Sequence, residues 1–270
     1  MTRIALVVSD VDGTLLTHDK ILTEAAKAAV EKLGAAGIAF TITSSRPSIG
    51  MGFLIEQLAI TLPVGAFNGS SIVDAAMNPV EQHLIPASAV ARSLEVLRQY
   101  GADIWLFTHD QWLTKNGSGE YVPNEKRAIR ADPTVIGDFT PYLSKACKVV
   151  GSSSDFEKLK RCEAAMREAL GAQATAVRSQ SYYLDITPPG VNKGTFVQTM
   201  ARRLAISTDA VATIGDMHND VAMFEVSGLS FAMGNASDEV KKHAKRVTYS
   251  NEEEGFARAM QIVLWENEGR

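Results

Sequence analysis

Apolar and polar positions fall into blocks along this chain, and the period of the blocks changes from one to the next. A short apolar run, IALVVSD at 4 to 10, precedes a segment at 23 to 36 in which Ala26, Ala29, Val30 and Leu33 recur at helical spacing. Thr23 is placed to cap that helix with Glu24 in its first turn, Gly37 ends it, and a second apolar run follows, IAFTITS at 38 to 44. Strand, helix and strand in this order predict a β-α-β unit and a parallel sheet. The alternation continues with a helix near 48 to 60 and a strand at 63 to 67. It resumes late in the chain, where VATIG, LSFAM and RVTYS are separated by helical segments, so both ends of the chain are expected to build one sheet.

Between 84 and 188 the pattern differs. A helix around 87 to 100 leads to short strands at 103 to 107 and 111 to 114, then a charged stretch, KVVGSS, a helix at 155 to 170 and strands at 174 to 178 and 182 to 187. This predicts an inserted α+β domain, bounded by Pro86 on one side and by Pro188, Pro189 and Gly190 on the other, where regular structure is hard to continue. The expected fold is α/β, with a Rossmann-like parallel-sheet core at 1–83 and 189–270 and an inserted α+β domain at 84–188.

Composition narrows the function classes. With 270 residues, 46% hydrophobic and 21% charged, the chain can bury a sizeable core. A formal charge of -4 gives no basic field for a polyphosphate backbone, so no nucleic-acid partner is expected and any phosphate recognition must be local. No run reaches the roughly 18 to 20 apolar residues that span a bilayer, and the first ten residues read as a strand rather than a signal peptide, so no membrane partner is expected. Cys147 and Cys162 form neither a CxxC pair nor a disulfide framework, which suits a reducing cytoplasm. Oligomeric state is left open, because one chain does not reveal which apolar positions stay exposed.

Four short segments carry chemistry. DVDGT, Asp10 to Thr14, sits where the first strand ends, the edge at which ligands gather in open α/β sheets. Two carboxylates that close repel when both are ionised, so a fold that keeps them supplies a cation or separates their protonation states; magnesium, which favours hard oxygen ligands, would serve. Gly13 allows a sharp turn after the strand, and the competing reading is a surface turn with two solvated aspartates. GDMHND, Gly215 to Asp220, again follows an apolar strand and brings Asp216, Asn219 and Asp220, as further cation ligands or, for the last two, as helix-start residues. TSSRP, Thr43 to Pro47, closes the second strand, and Ser44 there offers a hydroxyl and a backbone N–H to a phosphate oxygen, or simply forms a β-α turn. NKG, Asn192 to Gly194, places Lys193 at a helix start, either to neutralise phosphate charge or as one more solvated lysine. Asn68 and Gly69 read as the turn into the next strand, with contact to substrate as the second reading.

Taken in order, DxDGT near residue 10, TSSR some thirty residues on, a lone lysine after a long insertion and then GDxxND resemble the four motifs of the haloacid dehalogenase superfamily. The long insertion resembles the larger cap of its Cof-like sugar-phosphatase branch. The resemblance implies a magnesium-dependent phosphatase acting on a small phosphorylated metabolite, most naturally a sugar phosphate. It implies that Asp10 attacks phosphorus to form an aspartyl phosphate and also touches magnesium, and that Asp12 is acid and base, with its backbone carbonyl on the metal. Val11 would give a backbone N–H, Ser44 and the N–H of Ser45 would hold the phosphate, Lys193 would neutralise it, and Asn219 would bind phosphate or a metal-bound water. Asp216 would ligate magnesium, with Gly13, Thr14 and Asp220 in support. One departure is visible: the second motif commonly reads TGR in this branch, and here it is Ser44, Ser45 and Arg46, which keeps the hydroxyl and removes glycine's freedom in the turn. A phosphomutase using the same aspartyl phosphate, and a non-catalytic magnesium-dependent phospho-acceptor, are the alternatives; an intact Asp12 argues against the second.

Overall fold

The computed structural model describes residues 2 to 269. In chain order the strands are β1 Leu6–Ser9, β2 Ala39–Ile42, β3 Val64–Ala66, β4 Ser71–Val73, β5 Pro79–Gln82, β6 Asp103–Phe107, β7 Trp112–Thr114, β8 Thr134–Val135, β9 Lys148–Ser152, β10 Thr175–Gln180, β11 Tyr183–Thr187, β12 Val211–Gly215, β13 Leu229–Ala232 and β14 Arg246–Val247. The α-helices are α1 Glu24–Ala35, α2 Gly52–Gln57, α3 Ala87–Gln99, α4 Val122–Ile129, α5 Phe156–Leu170, α6 Lys193–Arg203, α7 Val221–Val226, α8 Asp238–Lys241 and α9 Gly255–Glu268. Two compact units result, one from Met1–Ser45, Gly52–Asn78 and Val191–Arg270, the other from Arg46–Met51 and Pro79–Gly190. The division therefore falls at 79 where the proline pattern points to 84, and a short piece of the expected 48 to 60 helix goes with the second unit.

The first unit is built on a five-stranded sheet in the order β14-β13-β12-β1-β2. Its pairings are parallel, and both neighbours of β1 are in step with it: Ser9 lies opposite Ile42 on one side and Ile214 on the other. The chain segments that leave β1, β2 and β12 consequently emerge side by side at one edge. Leu6 and Val8 point to the face covered by α6 and α7, where they pack with Phe196, Met200, Met223 and Phe224. Phe40, in register with Val7 of β1, points the opposite way, onto Phe256 of α9. Helices thus cover both faces, as a parallel sheet requires. The α1 helix forms as its sequence predicts, with the Thr23 hydroxyl accepting from the Ala26 N–H at 3.1 Å and Ala26, Ala29, Val30 and Leu33 buried.

The strand expected at 63 to 67 does not extend the parallel sheet. β3 touches it through a single parallel bridge, Thr43 to Gly65, and pairs antiparallel with β4. The physical reason is the turn at Phe67 to Gly69, whose three positive φ angles send the chain straight back.

The second unit has a six-stranded sheet in the order β10-β11-β9-β6-β7-β8, antiparallel except where β7 meets β8. Helices α3 and α5 pack on one face against Leu106, Leu113, Val149, Leu184 and Ile186. The charged stretch of the sequence hides α4, an eight-residue helix whose two buried residues, Val122 and Ile129, are too few to set a period.

Candidate active site

The ladder of β1 ends where Asp10 N–H donates to the Ile214 carbonyl at 2.9 Å. The next residues wind into a tight turn in which the N–H groups of Leu15 and Leu16 both reach the Val11 carbonyl at 3.0 Å. Gly13 carries φ +79°, and a Cβ there would lie 2.3 Å from Asp216 Oδ2, so the position excludes a side chain on two grounds. Thr14 donates its hydroxyl to Asp216 Oδ1 at 3.2 Å, joining the turn after β1 to the loop after β12.

In that second loop Asp220 is fully buried and both its oxygens are engaged. Oδ2 accepts the N–H groups of Asp216 and Met217, each at 2.9 Å, and Oδ1 accepts Lys193 Nζ at 2.6 Å. Asp220 therefore shapes the loop and holds the lysine instead of offering a loose ligand oxygen. The other carboxylate on Lys193 is Asp10, whose Oδ1 is 2.5 Å from Nζ. The lysine is delivered by the start of α6, where Asn192 and Thr195 form a reciprocal capping box. At 1% exposure it is the opposite of the solvated lysine that a surface reading would give.

Carboxylate oxygens of Asp10, Asp216 and Asp220 gather within 4.8 Å of one another, all three residues being buried. Lys193 is the ammonium bonded within this group, so three carboxylates and one cation leave two negative charges in excess when all are ionised. Burial, with Asp220 and Asp216 adding repulsion against the pull of Lys193, pushes Asp10 well above the usual carboxylate range. Burial and the neighbouring Asp220 raise Asp216 to about 6. Burial alone would lower Lys193, but Asp10 and Asp220 outweigh it and hold the ammonium protonated. A hard divalent cation answers this charge excess and this all-oxygen donor set, and magnesium fits both.

The matching family model spans residues 7–260 and describes haloacid dehalogenase-like hydrolases. The chain belongs to that family. Among curated relatives, a provisionally named phosphatase of Streptococcus pyogenes is 29% identical over 95% of this chain and 97% of its own length. A 5-amino-6-(5-phospho-D-ribitylamino)uracil phosphatase of Bacillus subtilis is 27% identical over 92% of this chain and 94% of its own. Among solved structures, a haloacid dehalogenase-like hydrolase from Bacteroides thetaiotaomicron superposes with a TM-score of 0.90 at 25% identity, covering 96% of this chain and 99% of that one.

Within this haloacid dehalogenase-like hydrolase the remaining sequence-predicted residues distribute unevenly. Asp12 stands apart from the carboxylate cluster, its Oδ1 2.7 Å from Lys20 Nζ. Ser44 is buried, and its backbone N–H, which the sequence reading offers to phosphate, is instead committed to the Gly65 carbonyl at 2.8 Å. That correction follows from the bridge to β3. Asn219 is exposed and donates Nδ2 to Asn68 Oδ1 at 2.9 Å.

Two residues that sequence reasoning passes over belong to the site. Lys20, in a left-handed conformation at φ +62°, pairs with Asp12 from a small loop in which the Thr17 N–H donates to the Ile21 carbonyl at 3.0 Å and the Ile21 N–H donates to the Thr17 hydroxyl at 3.1 Å. Asn235 donates Nδ2 to the Gly13 carbonyl at 2.9 Å and to Asp216 Oδ2 at 3.2 Å, while its Oδ1 takes the Asn251 N–H at 3.1 Å. Its signal was available, since MGNAS follows β13 at the same sheet edge as the other loops. The Lys20 signal was not, because a lysine in a polar loop has no distinguishing neighbourhood in sequence.

Proposed function

We propose that this chain is a magnesium-dependent phosphomonoester hydrolase that works through an aspartyl phosphate on Asp10 and acts on a small phosphorylated metabolite, with sugar phosphates the first class to test. The observation that carries the reading is the buried Asp10–Lys193–Asp220 arrangement, in which Lys193 fixes one Asp10 oxygen at 2.5 Å beside a carboxylate cluster two charges short of neutrality. Asp10 and Asp216, with the Asp12 carbonyl, would hold magnesium, which when bound neutralises phosphate charge at this edge.

The steps belong to the side chains. An Asp10 carboxylate oxygen forms a bond to phosphorus as the ester oxygen leaves, and Asp12 gives that oxygen its proton. Water then attacks the same phosphorus, Asp12 takes the proton back, the Asp10–phosphorus bond breaks and phosphate departs. Lys193 stays protonated throughout and offsets negative charge on the transferring group, while the Ser44 hydroxyl, the Ser45 and Val11 N–H groups and Asn219 hold its oxygens. The Lys20 ion pair must open for Asp12 to carry the proton. The inserted unit, read as the family's cap, is the part assigned to choice of substrate. Localisation in the cytoplasm agrees with two buried free thiols, Cys147 pushed by burial up to about 12 and Cys162 up to about 11. Among the described residues no helix is long and apolar enough to cross a membrane.

The test is phosphate release from a panel of phosphomonoesters, with and without magnesium, by the wild type and by Asp10→Asn and Asp12→Asn. Metal-dependent turnover that both variants lose supports the hydrolase. Transfer to a second hydroxyl without release of phosphate would favour a mutase instead.

A further inference from the structure

Phe67, Asn68 and Gly69 take three successive positive φ angles, +50°, +60° and +91°. For a bulky phenylalanine this is an outlier, and such backbone persists only where its surroundings hold it. Three anchors do so. The Asn68 N–H donates to the Ser44 carbonyl at 2.7 Å. Asn68 Oδ1 accepts Asn219 Nδ2 at 2.9 Å. Gly69 lies so close to the first turn of α6 that a Cβ there would fall 2.7 Å from Phe196 Cβ and 3.4 Å from the Asn192 carbonyl oxygen.

Asn68 is therefore bracketed by the Ser44 loop, the Asn219 loop and the helix start that delivers Lys193, three segments that converge on the phosphate reading of this edge. Its side chain is half-buried, so it is neither sealed in the core nor loose in solvent. The bond to Asn219 also assigns the ends of the amide: Oδ1 accepts, which leaves the Nδ2 group, two N–H donors without charge, as the end available to a ligand. A plain reversal into β4 needs only backbone that tolerates a left-handed angle, and glycine would supply it without the hydrogen bond to Asn219.

We propose that Asn68 is a phosphate-binding residue: Nδ2 donates to a non-bridging oxygen of the phosphate on which Asp10 acts, and Oδ1 positions Asn219 toward the same group. This assignment rests on the phosphatase reading of the site. Asn68→Gly keeps the left-handed backbone and removes the side chain. Asn68→Asp keeps both the backbone tolerance and the acceptor for Asn219, and puts an anion where the donor was.

The experiment measures magnesium-dependent hydrolysis of p-nitrophenyl phosphate and its inhibition by inorganic phosphate. Wild type is expected to turn over. Asn68→Gly should raise KM and the phosphate inhibition constant about tenfold, and Asn68→Asp by more, with melting temperatures close to wild type. Wild-type KM and phosphate constants in both variants would overturn the assignment and leave Asn68 as a turn residue, with the phosphatase reading intact. A wild type that neither turns over nor is inhibited by phosphate would show its failure before any variant is made, and would take the phosphatase reading and this assignment down together.

Discussion

Lys193 Nζ stands 2.5 Å from Asp10 Oδ1, two residues separated by 183 positions in the chain and both buried. With Asp220 Oδ1 at 2.6 Å on its other side, the ammonium links the turn after β1 to the loop after β12. Removing one partner of a buried ion pair leaves the other charged and desolvated, which costs about 3–5 kcal/mol. Lys193→Met is expected to lower stability to chemical denaturation by that order at pH 8, and added magnesium should restore part of it. Unchanged stability would mean that the lysine carries no charge balance in the folded state.

Asp216 connects pH to metal binding. Its folded value, about 6 against an ordinary 3.8, lies above that of the unfolded chain, so its ionisation opposes folding. The contribution is fully favourable below 3.8 and is lost as pH rises through about 6. Metal-free protein should accordingly lose melting temperature from this group across that window. Magnesium binds the ionised form, so the rise in melting temperature on adding it should be larger at pH 7.5 than at pH 5. Thermal scans at the two pH values, with and without the ion, read this directly, and an equal magnesium shift at both would count against it.

Gly13→Ala should be among the most damaging single-methyl changes in the first unit. The residue sits at φ +79°, and the new carbon would lie 2.3 Å from Asp216 Oδ2, so either the turn after β1 or the Asp216 carboxylate must move. Calorimetric magnesium titration of a folded Gly13→Ala protein is expected to show affinity reduced tenfold or more.

Asn235 tests the support of that carboxylate from the other side. Loss of a hydrogen bond that orients a metal ligand typically lowers affinity or activity about 10- to 100-fold. Asn235→Ala, which removes the bonds to Gly13 O and Asp216 Oδ2, should raise the magnesium concentration for half-maximal activity by about that factor while substrate KM at saturating magnesium changes little. A changed KM with an unchanged magnesium requirement would place its role elsewhere.

Much of this architecture is legible in the chain because local signals agree with the packing. The α1 helix announces itself through Thr23 and through the four buried positions Ala26, Ala29, Val30 and Leu33. Asp10, Asp216 and Lys193 are legible because each follows a strand or starts a helix at one sheet edge. What escapes is whatever depends on contacts between distant segments. Nothing local marks Lys20 as the partner of Asp12, or says that the Ser44 N–H is taken by Gly65. The β3 strand reads as a third parallel strand, and although Asn68 and Gly69 read as a turn, the positive φ of Phe67 that helps send the chain straight back belongs to a residue type that rarely carries one. The α4 helix is hidden for a different reason, since a short polar helix with two buried residues has no hydrophobic period to read.

The central claim is that the phosphoryl group passes through Asp10. The most direct measurement mixes Asp12→Asn protein with magnesium and a phosphomonoester that the wild type hydrolyses, quenches in acid and maps the phosphorylated peptide by mass spectrometry. The variant retains Asp10 and Lys193 but lacks the carboxylate that would activate water, so the account predicts one phosphoryl group accumulating on Asp10 and none in Asp10→Asn. A phosphoryl group on another residue, or hydrolysis that proceeds in Asp10→Asn at the wild-type rate, would contradict it.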